Sequence, residues 1–272
     1  MFTLSGFADE ISEDLDTQLD VLEKLRIKYL EFRGVWGKNV LKLSDDEVAR
    51  VKAELARRGI GVSAIGSPIG KIQIDDPFEP HLEDFRRALY LAAYFDSRYI
   101  RIFSFYVPEG QADRYRPQVM ERLRALLDAA KGHDVILLHE NERHIYGDIP
   151  RRCLDILETM ASPQMRMTFD PHNYVMSGID PQEAYQMLVD HIAYMHIKDA
   201  IAAEGRTVPA GQGDGKIPEI LRDLHRRGFD GFLSLEPHLS SGGPFRGYSG
   251  PELFEAAAVA LRGILAELGI EA

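Results

Sequence analysis

Four charged side chains close four consecutive apolar runs in the second half of the chain. They are Glu140 in VILLHE, Asp170 in MRMTFD, His196 in YMHIKD and Glu236 in FLSLEP. Alternation along a strand sets Tyr194, His196 and Lys198 on one face and Met195 and Ile197 on the other. A single charge in such a position is ordinarily a salt-bridge partner. Four at successive strand ends point to a shared site, because three carboxylates packed together repel and resist ionising unless a cation holds them. Carboxylate oxygens with one imidazole suit a divalent ion such as Mn²⁺, Mg²⁺, Co²⁺ or Zn²⁺, with positions left open for water or substrate.

These residues converge only if the elements carrying them do. Short β-rich runs alternate with helical ones along the whole chain. The strands are FTLSGF, YLEFR (29–33), GVSAIG (61–66), YIRIFSF (99–105), VILLHE (135–140), MRMTFD (165–170), AYMHIKD (193–199) and FLSLEP (232–237). Between them lie segments with apolar residues at helical spacing. One is 44–59, with a Ser-Asp start and a Gly stop; others include RLRALLDAAKG and IPRRCLDILETMA. Apolar strands separated by helices imply a parallel sheet covered on its outer face. Eight such units over about 250 residues fit an α/β fold of the closed (β/α)8 TIM-barrel type better than an open doubly wound sheet. No composition shift or linker marks a boundary, so residues 1–272 are expected to form a single domain. In a barrel the C-terminal strand ends meet at one mouth, where the four charges would face each other.

Composition narrows the function classes. A formal net charge of −11 argues against a surface devoted to nucleic acid, which needs clustered Lys/Arg. One cysteine, Cys153, excludes an intramolecular disulfide, and its amphipathic surroundings make it a packing residue. No apolar run approaches the ~20 residues of a membrane span, and MFTLSGFADEISED lacks a secretory pattern. A cytoplasmic location with no membrane partner is the expectation.

The chain resembles the sugar phosphate isomerase/epimerase superfamily, the xylose-isomerase-like TIM barrels that include tagatose epimerases, hydroxypyruvate isomerases, inosose dehydratase and endonuclease IV. The resemblance runs from GFADEIS through YLEFRGVWGKNV, IGSPIGKI, IRIFSFY, LLHENERHIYGD, FDPHN and MHIKDA to GFLSLEPHL. It implies one divalent ion, most typically Mn²⁺, held by Glu140, Asp170, His196 and Glu236. It also implies a small-molecule partner, a sugar or sugar phosphate, isomerised or epimerised through an enediolate by proton transfer α to a carbonyl. Glu140 and Glu236 match the two glutamates that exchange the proton in epimerases. If a hydroxyl is expelled instead, the outcome is dehydration of the inosose type. Relatives often associate, so a homo-oligomer is also expected. One departure stands out. Many epimerases carry a substrate-contacting histidine three residues after the aspartate, where this chain has Asn173, with His172 one residue earlier.

Further substrate contacts are expected from Lys198, His172, Asn173 and His238, with Arg33, Glu142 and Lys71 as weaker candidates. Lys198 could equally pair with Asp199, while Arg33 and Arg101 read first as buried structural ion pairs, Arg33 being the better candidate for an anion clamp. GSPIGKI (66–72) is not a P-loop, since three residues rather than four separate its glycines and no Ser/Thr follows Lys71. GQGDGK (211–216) follows a long loop rather than a strand, so it is no dinucleotide fingerprint. Residues 200–215 form an unusually long connection and read as a flexible cover over the mouth. An endonuclease IV-like hydrolase needs more metal-binding histidines and aspartates, where Ser67, Ser104 and Asn173 stand here. A non-catalytic sugar-binding barrel remains as a further alternative.

Overall fold

The computed structural model describes residues 1–240 and 249–270. Among these, eight strands alternate with eight helices: β1 (Phe2–Gly6), α1 (Leu15–Lys24), β2 (Tyr29–Phe32), α2 (Asp45–Arg58), β3 (Gly61–Ile65), α3 (Glu79–Tyr94), β4 (Tyr99–Ile102), α4 (Ala112–Ala130), β5 (Ile136–Glu140), α5 (Pro150–Met160), β6 (Met165–Phe169), α6 (Pro181–Leu188), β7 (Ile192–Ile197), α7 (Ile217–Arg226), β8 (Gly231–Leu235) and α8 (Gly250–Glu267). All strand pairs of this sheet are parallel, in the order β1-β8-β7-β6-β5-β4-β3-β2. A parallel bridge between Phe7 and Glu31 joins β1 to β2 and completes the circuit. The chain is a (β/α)8 barrel, as the alternation of elements implied.

Local chemistry explains the helix limits. Ser44 and Glu47 form a reciprocal capping box at the start of α2, and Gly59 ends it in the left-handed region at φ +64°. Helix α4 begins ten residues before the stretch read from the sequence, with Pro117 inside it. Proline removes one amide donor from the ladder, yet Val119, Met120, Leu123, Leu126, Leu127 and Ala130 all remain buried. Burial of that stripe outweighs the lost bond.

Strand alternation divides the core. Outward residues such as Leu30, Ile100, Leu137, Met167, Met195 and Leu233 pack in the main apolar cluster with the helices. The foot of the barrel interior holds Tyr99, Ile136, Leu138, Tyr194 and Phe232. Towards the C-terminal rim the inward positions become charged: Glu31, Arg101, Glu140 and His196, all buried. An apolar plug therefore supports a polar mouth.

The connection after β7 is ordered, which corrects the expectation of a flexible cover. It contains an antiparallel hairpin, Asp199–Ile201 with Arg206–Val208, which packs near the short helix Pro171–Val175. The Asp199 carboxylate accepts from the amides of Ala200, Gly211, Gly213 and Gly215 at 2.8–3.1 Å. A Cβ at Gly213 would lie 2.5 Å from Asp199 Oδ1, and one at Gly215 2.7 Å, so the GQGDGK glycines serve this close approach. Asp199 thus pairs with the loop and not with Lys198. Replacing it (Asp199→Ala) orphans four amides and should cost at least about 2 kcal/mol. Denaturant unfolding should show that loss, and hydrogen exchange should quicken selectively at Gly211, Gly213 and Gly215.

Candidate metal centre

Glu140, Asp170, His196 and Glu236 come together at the barrel mouth, each buried, with one ligand atom apiece lying within 4.8 Å of the others. Each is set by its strand end. Glu140 is the last residue of β5, and Asp170 and Glu236 each follow the last residue of a strand. Asp170 also caps the short helix Pro171–Val175, its Oδ1 accepting from Asn173 N at 3.1 Å. Asn141 fixes the neighbouring strand ends by a two-way bond, accepting from Asp170 N at 2.9 Å and donating to Asp170 O at 2.8 Å.

One oxygen of each carboxylate is tethered and the other is not. Arg33 donates to Glu236 Oε1 at 2.8 Å, and His238 Nε2 lies 3.3 Å from the same atom. Glu140 Oε1 is 3.1 Å from His196 Nδ1. Glu140 Oε2, Asp170 Oδ2 and Glu236 Oε2 have no hydrogen-bond partner among the described residues. Arg101 Nη1 comes within 3.3 Å of Glu140 Oε2, outside hydrogen-bonding geometry. Lys198 Nζ is 3.6 Å from Glu236 Oε2 and 3.9 Å from Asp170 Oδ2.

Three buried acceptors without donors, beside one imidazole, fit a divalent cation, because unpaired buried carboxylate oxygens are costly. The wider charge balance agrees. Asp9, Glu10, Glu31, Glu140, Asp170 and Glu236 gather here, and these carboxylates outnumber Arg33, Arg101 and Lys198 two to one. The electrostatic consequences are uneven. Burial pushes Asp170 up to about 7, with Lys198 only partly opposing it. Burial also works against ionisation of Glu140, but His196 and Arg101 outweigh it and bring the carboxyl down to about 2. For Glu236 the same contest is won by Lys198 and His238, which hold it well below the carboxylate range. Burial and Lys198 push His172 down to about 2, so its imidazole is neutral.

The remaining expected residues fall into two groups. Lys198, His172, Asn173 and His238 border the cluster. Asn173 Nδ2 donates to Asn141 O at 2.9 Å and reaches Glu140 Oε1 at 3.5 Å, so its amide supports the rim. His172 Nε2 lies 3.1 Å from Thr207 Oγ1 on the hairpin. His238 Nε2 is 3.0 Å from Glu10 Oε1. Arg33 is a buried hub for Asp9, Glu10 and Glu236 at 2.7, 3.1 and 2.8 Å, and not a free anion clamp. Lys71 and Glu142 pair with each other at 3.1 Å, with Lys71 over the Phe103 ring. The Arg101 pairing with a carboxylate is met by Glu140. Cys153 is buried with its thiol pushed up to about 12 by desolvation, in keeping with a packing role.

Three participants were missed in the sequence. Glu31 lies in the middle of YLEF and contacts His196 Nε2 at 3.2 Å. Glu10 holds Arg33 and His238. Asn141 ties β5 to β6. A charged residue inside an apolar strand was the available signal for Glu31. Glu10 and Asn141 sit in loops where nothing distinguishes them from solvated residues.

The chain belongs to the xylose isomerase-like TIM barrel family, whose description matches residues 19–263. It is 24% identical over 230 residues to the 3-dehydroshikimate dehydratase of Bacillus anthracis, covering 75% of this chain and 80% of that protein. Among solved structures it is similar to a probable 3-dehydroshikimate dehydratase involved in petrobactin synthesis from Bacillus anthracis, with TM-score 0.77 and 20% identity, covering 96% of this chain and 98% of that one. It is also similar to a D-psicose 3-epimerase determined in the presence of D-fructose, with TM-score 0.74 and 18% identity over 98% of this chain and 99% of that one. The proteins it is similar to thus include an epimerase and a dehydratase.

A carboxylate must be ionised to ligate, so protons compete with metal where Asp170 titrates. Lowering the pH from 8 to 6 carries that group from charged to neutral. Mn²⁺ affinity should weaken by about tenfold or more over this range, as isothermal titration calorimetry in non-chelating buffers would record. A pH-independent affinity would contradict this.

Proposed function

We propose that the chain is a divalent-metal-dependent isomerase or epimerase that moves a proton α to a carbonyl on a sugar or sugar phosphate. The observation carrying this reading is that Glu140 Oε2 and Glu236 Oε2, two buried carboxylate oxygens without donors among the described residues, stand beside Asp170 and His196 in one cluster. Glu140, Asp170, His196 and Glu236 would hold the ion, with Mn²⁺ the favoured occupant and Mg²⁺, Co²⁺ or Zn²⁺ as alternatives. Such an ion supplies Lewis-acid polarisation of a carbonyl and its adjacent hydroxyl, which acidifies the α-carbon.

The chain's own side chains do the rest. Glu140 and Glu236 remove and return the proton through their carboxylates. Arg33 and His238 meet Glu236 Oε1 and so fix the orientation of that carboxylate. Lys198 and neutral His172 bind substrate oxygens, and Asn173 keeps Glu140 in place from behind. The short helix carries His172 and Asn173 to this mouth, and the hairpin meets it through Thr207, 3.1 Å from His172.

A second reading is dehydration of a hydroxylated carbonyl compound by the same first step. Lys198 favours it, since an ammonium 3.6 Å from Glu236 Oε2 can give a proton to a departing hydroxyl. The likeness to the Bacillus anthracis dehydratase supports it too. An endonuclease-like three-metal site finds no support: among the described residues no second such cluster forms, and Ser67 and Ser104 are engaged with Arg101 O, His139 and Gly147 N. We also propose that residues 1–272 act as one domain, cytoplasmic and self-associating.

Mn²⁺-loaded protein incubated in D2O with ketoses, their phosphates and hydroxylated cyclic ketones tests the shared step. Proton NMR should show deuterium entering α to the carbonyl, with epimer or aldose signals for the first reading and vinyl signals for the second. Glu140→Gln and Glu236→Gln should each slow exchange by about 10²–10⁴-fold. A compound that binds saturably with no exchange would contradict proton transfer and leave a binding protein.

A further inference from the structure

We infer that Glu31 is a positioning residue for this centre: its carboxylate holds His196 by Nε2–H and thereby presents the Nδ1 lone pair to the divalent ion. The inference rests on the reading of the four side chains as a metal centre. The two ring nitrogens of His196 face opposite ways. Nδ1 lies 3.1 Å from Glu140 Oε1 and 3.6 Å from Glu236 Oε2, on the side of the cluster. Nε2 lies 3.2 Å from Glu31 Oε2 on the other side. Both side chains are wholly shielded, with 0% exposure each, so bulk water cannot take the place of either partner.

Glu31 stands in β2 between Leu30 and Phe32, at the seam where a bridge to Phe7 closes the barrel. A carboxylate buried there is costly unless paired. His196 Nε2 is its hydrogen-bond partner among the described residues, and Glu31 Oε1 has none. An ionised carboxylate only accepts, so Nε2 keeps its proton towards Glu31, while an ion bound among Glu140, Asp170 and Glu236 would replace the proton that Nδ1 shares with Glu140 and take that nitrogen's lone pair. The ring cannot easily turn to reverse this, because the Phe7 ring meets it edge-on at 5.2 Å and the Tyr194 ring at 6.0 Å. A carboxylate behind a ligating imidazole also strengthens the donor nitrogen. Glu31 touches neither substrate nor ion and acts through His196 alone.

The test uses the full chain as wild type, Glu31→Gln and Glu31→Ala, with Mn²⁺ affinity measured against a competing chelator. Long-range ¹H–¹⁵N NMR of the Zn²⁺-loaded wild type reads the histidine tautomer directly. Glu31→Ala should weaken Mn²⁺ binding by about 10–100-fold. Glu31→Gln should lose less, because its amide oxygen still accepts from Nε2. The NMR should find His196 protonated at Nε2 and metallated at Nδ1. Unchanged affinity in Glu31→Ala, with only a lowered melting temperature, would make Glu31 merely structural and overturn the inference. Metallation at Nε2 would overturn it as well. Wild-type protein that binds no metal would instead overturn the metal-centre reading, and this inference with it. If Glu31→Ala does not fold, Glu31→Gln and the wild-type tautomer decide the matter.

Discussion

The structure turns on an electrostatic debt at one end of a barrel: more carboxylates than cations, buried where water cannot screen them. Arg33 hydrogen-bonds Asp9 and Glu236 alike, and Arg101 and Lys198 stand close by. Even so, Glu140, Asp170 and Glu236 each keep one oxygen without a donor among the described residues. Protein side chains that repel one another in this way persist when an ion holds them together or when the chemistry needs them. Both conditions point to the same site.

The scaffold keeps this arrangement rigid by giving every unstable group a second anchor. Asp170 caps a helix with one oxygen and faces the cluster with the other. Glu236 is tied through Arg33 to Asp9 and Glu10, which belong to the turn after β1. Asn141 locks β5 and β6 at the height of the ligands. Beneath them the apolar foot, with Tyr194 and Leu138, blocks the barrel as a passage. Asp199 organises the hairpin whose Thr207 touches His172, so loop order and site geometry are linked through one carboxylate.

Much of this was legible in the residues. Parallel strands buried on both faces read as short apolar runs, and a helix with a Ser-Asp start and a Gly stop reads as α2; those local rules are strong because burial and capping enforce them. The four charges closing β5 to β8 were legible for the same reason, since a charge ending an apolar run cannot be an accident of the surface four times over. The start of α4 was not, because Pro117 is a breaker by local rule and only packing against the barrel overrides it. The order of residues 199–215 was hidden because its organiser is a single aspartate meeting amides up to sixteen residues away. Glu31 was hidden because alternation alone does not tell which strand across the barrel a side chain will meet, here one 165 residues distant.

The central claim is that Glu140, Asp170, His196 and Glu236 hold one divalent ion. Elemental mass spectrometry on protein dialysed against Mn²⁺ and then freed of unbound metal tests it most directly, beside a His196→Ala, Glu236→Gln double variant. The account predicts about one ion per wild-type chain and essentially none in the variant. Absence of stoichiometric metal in the wild type, or its retention in the variant, would contradict it.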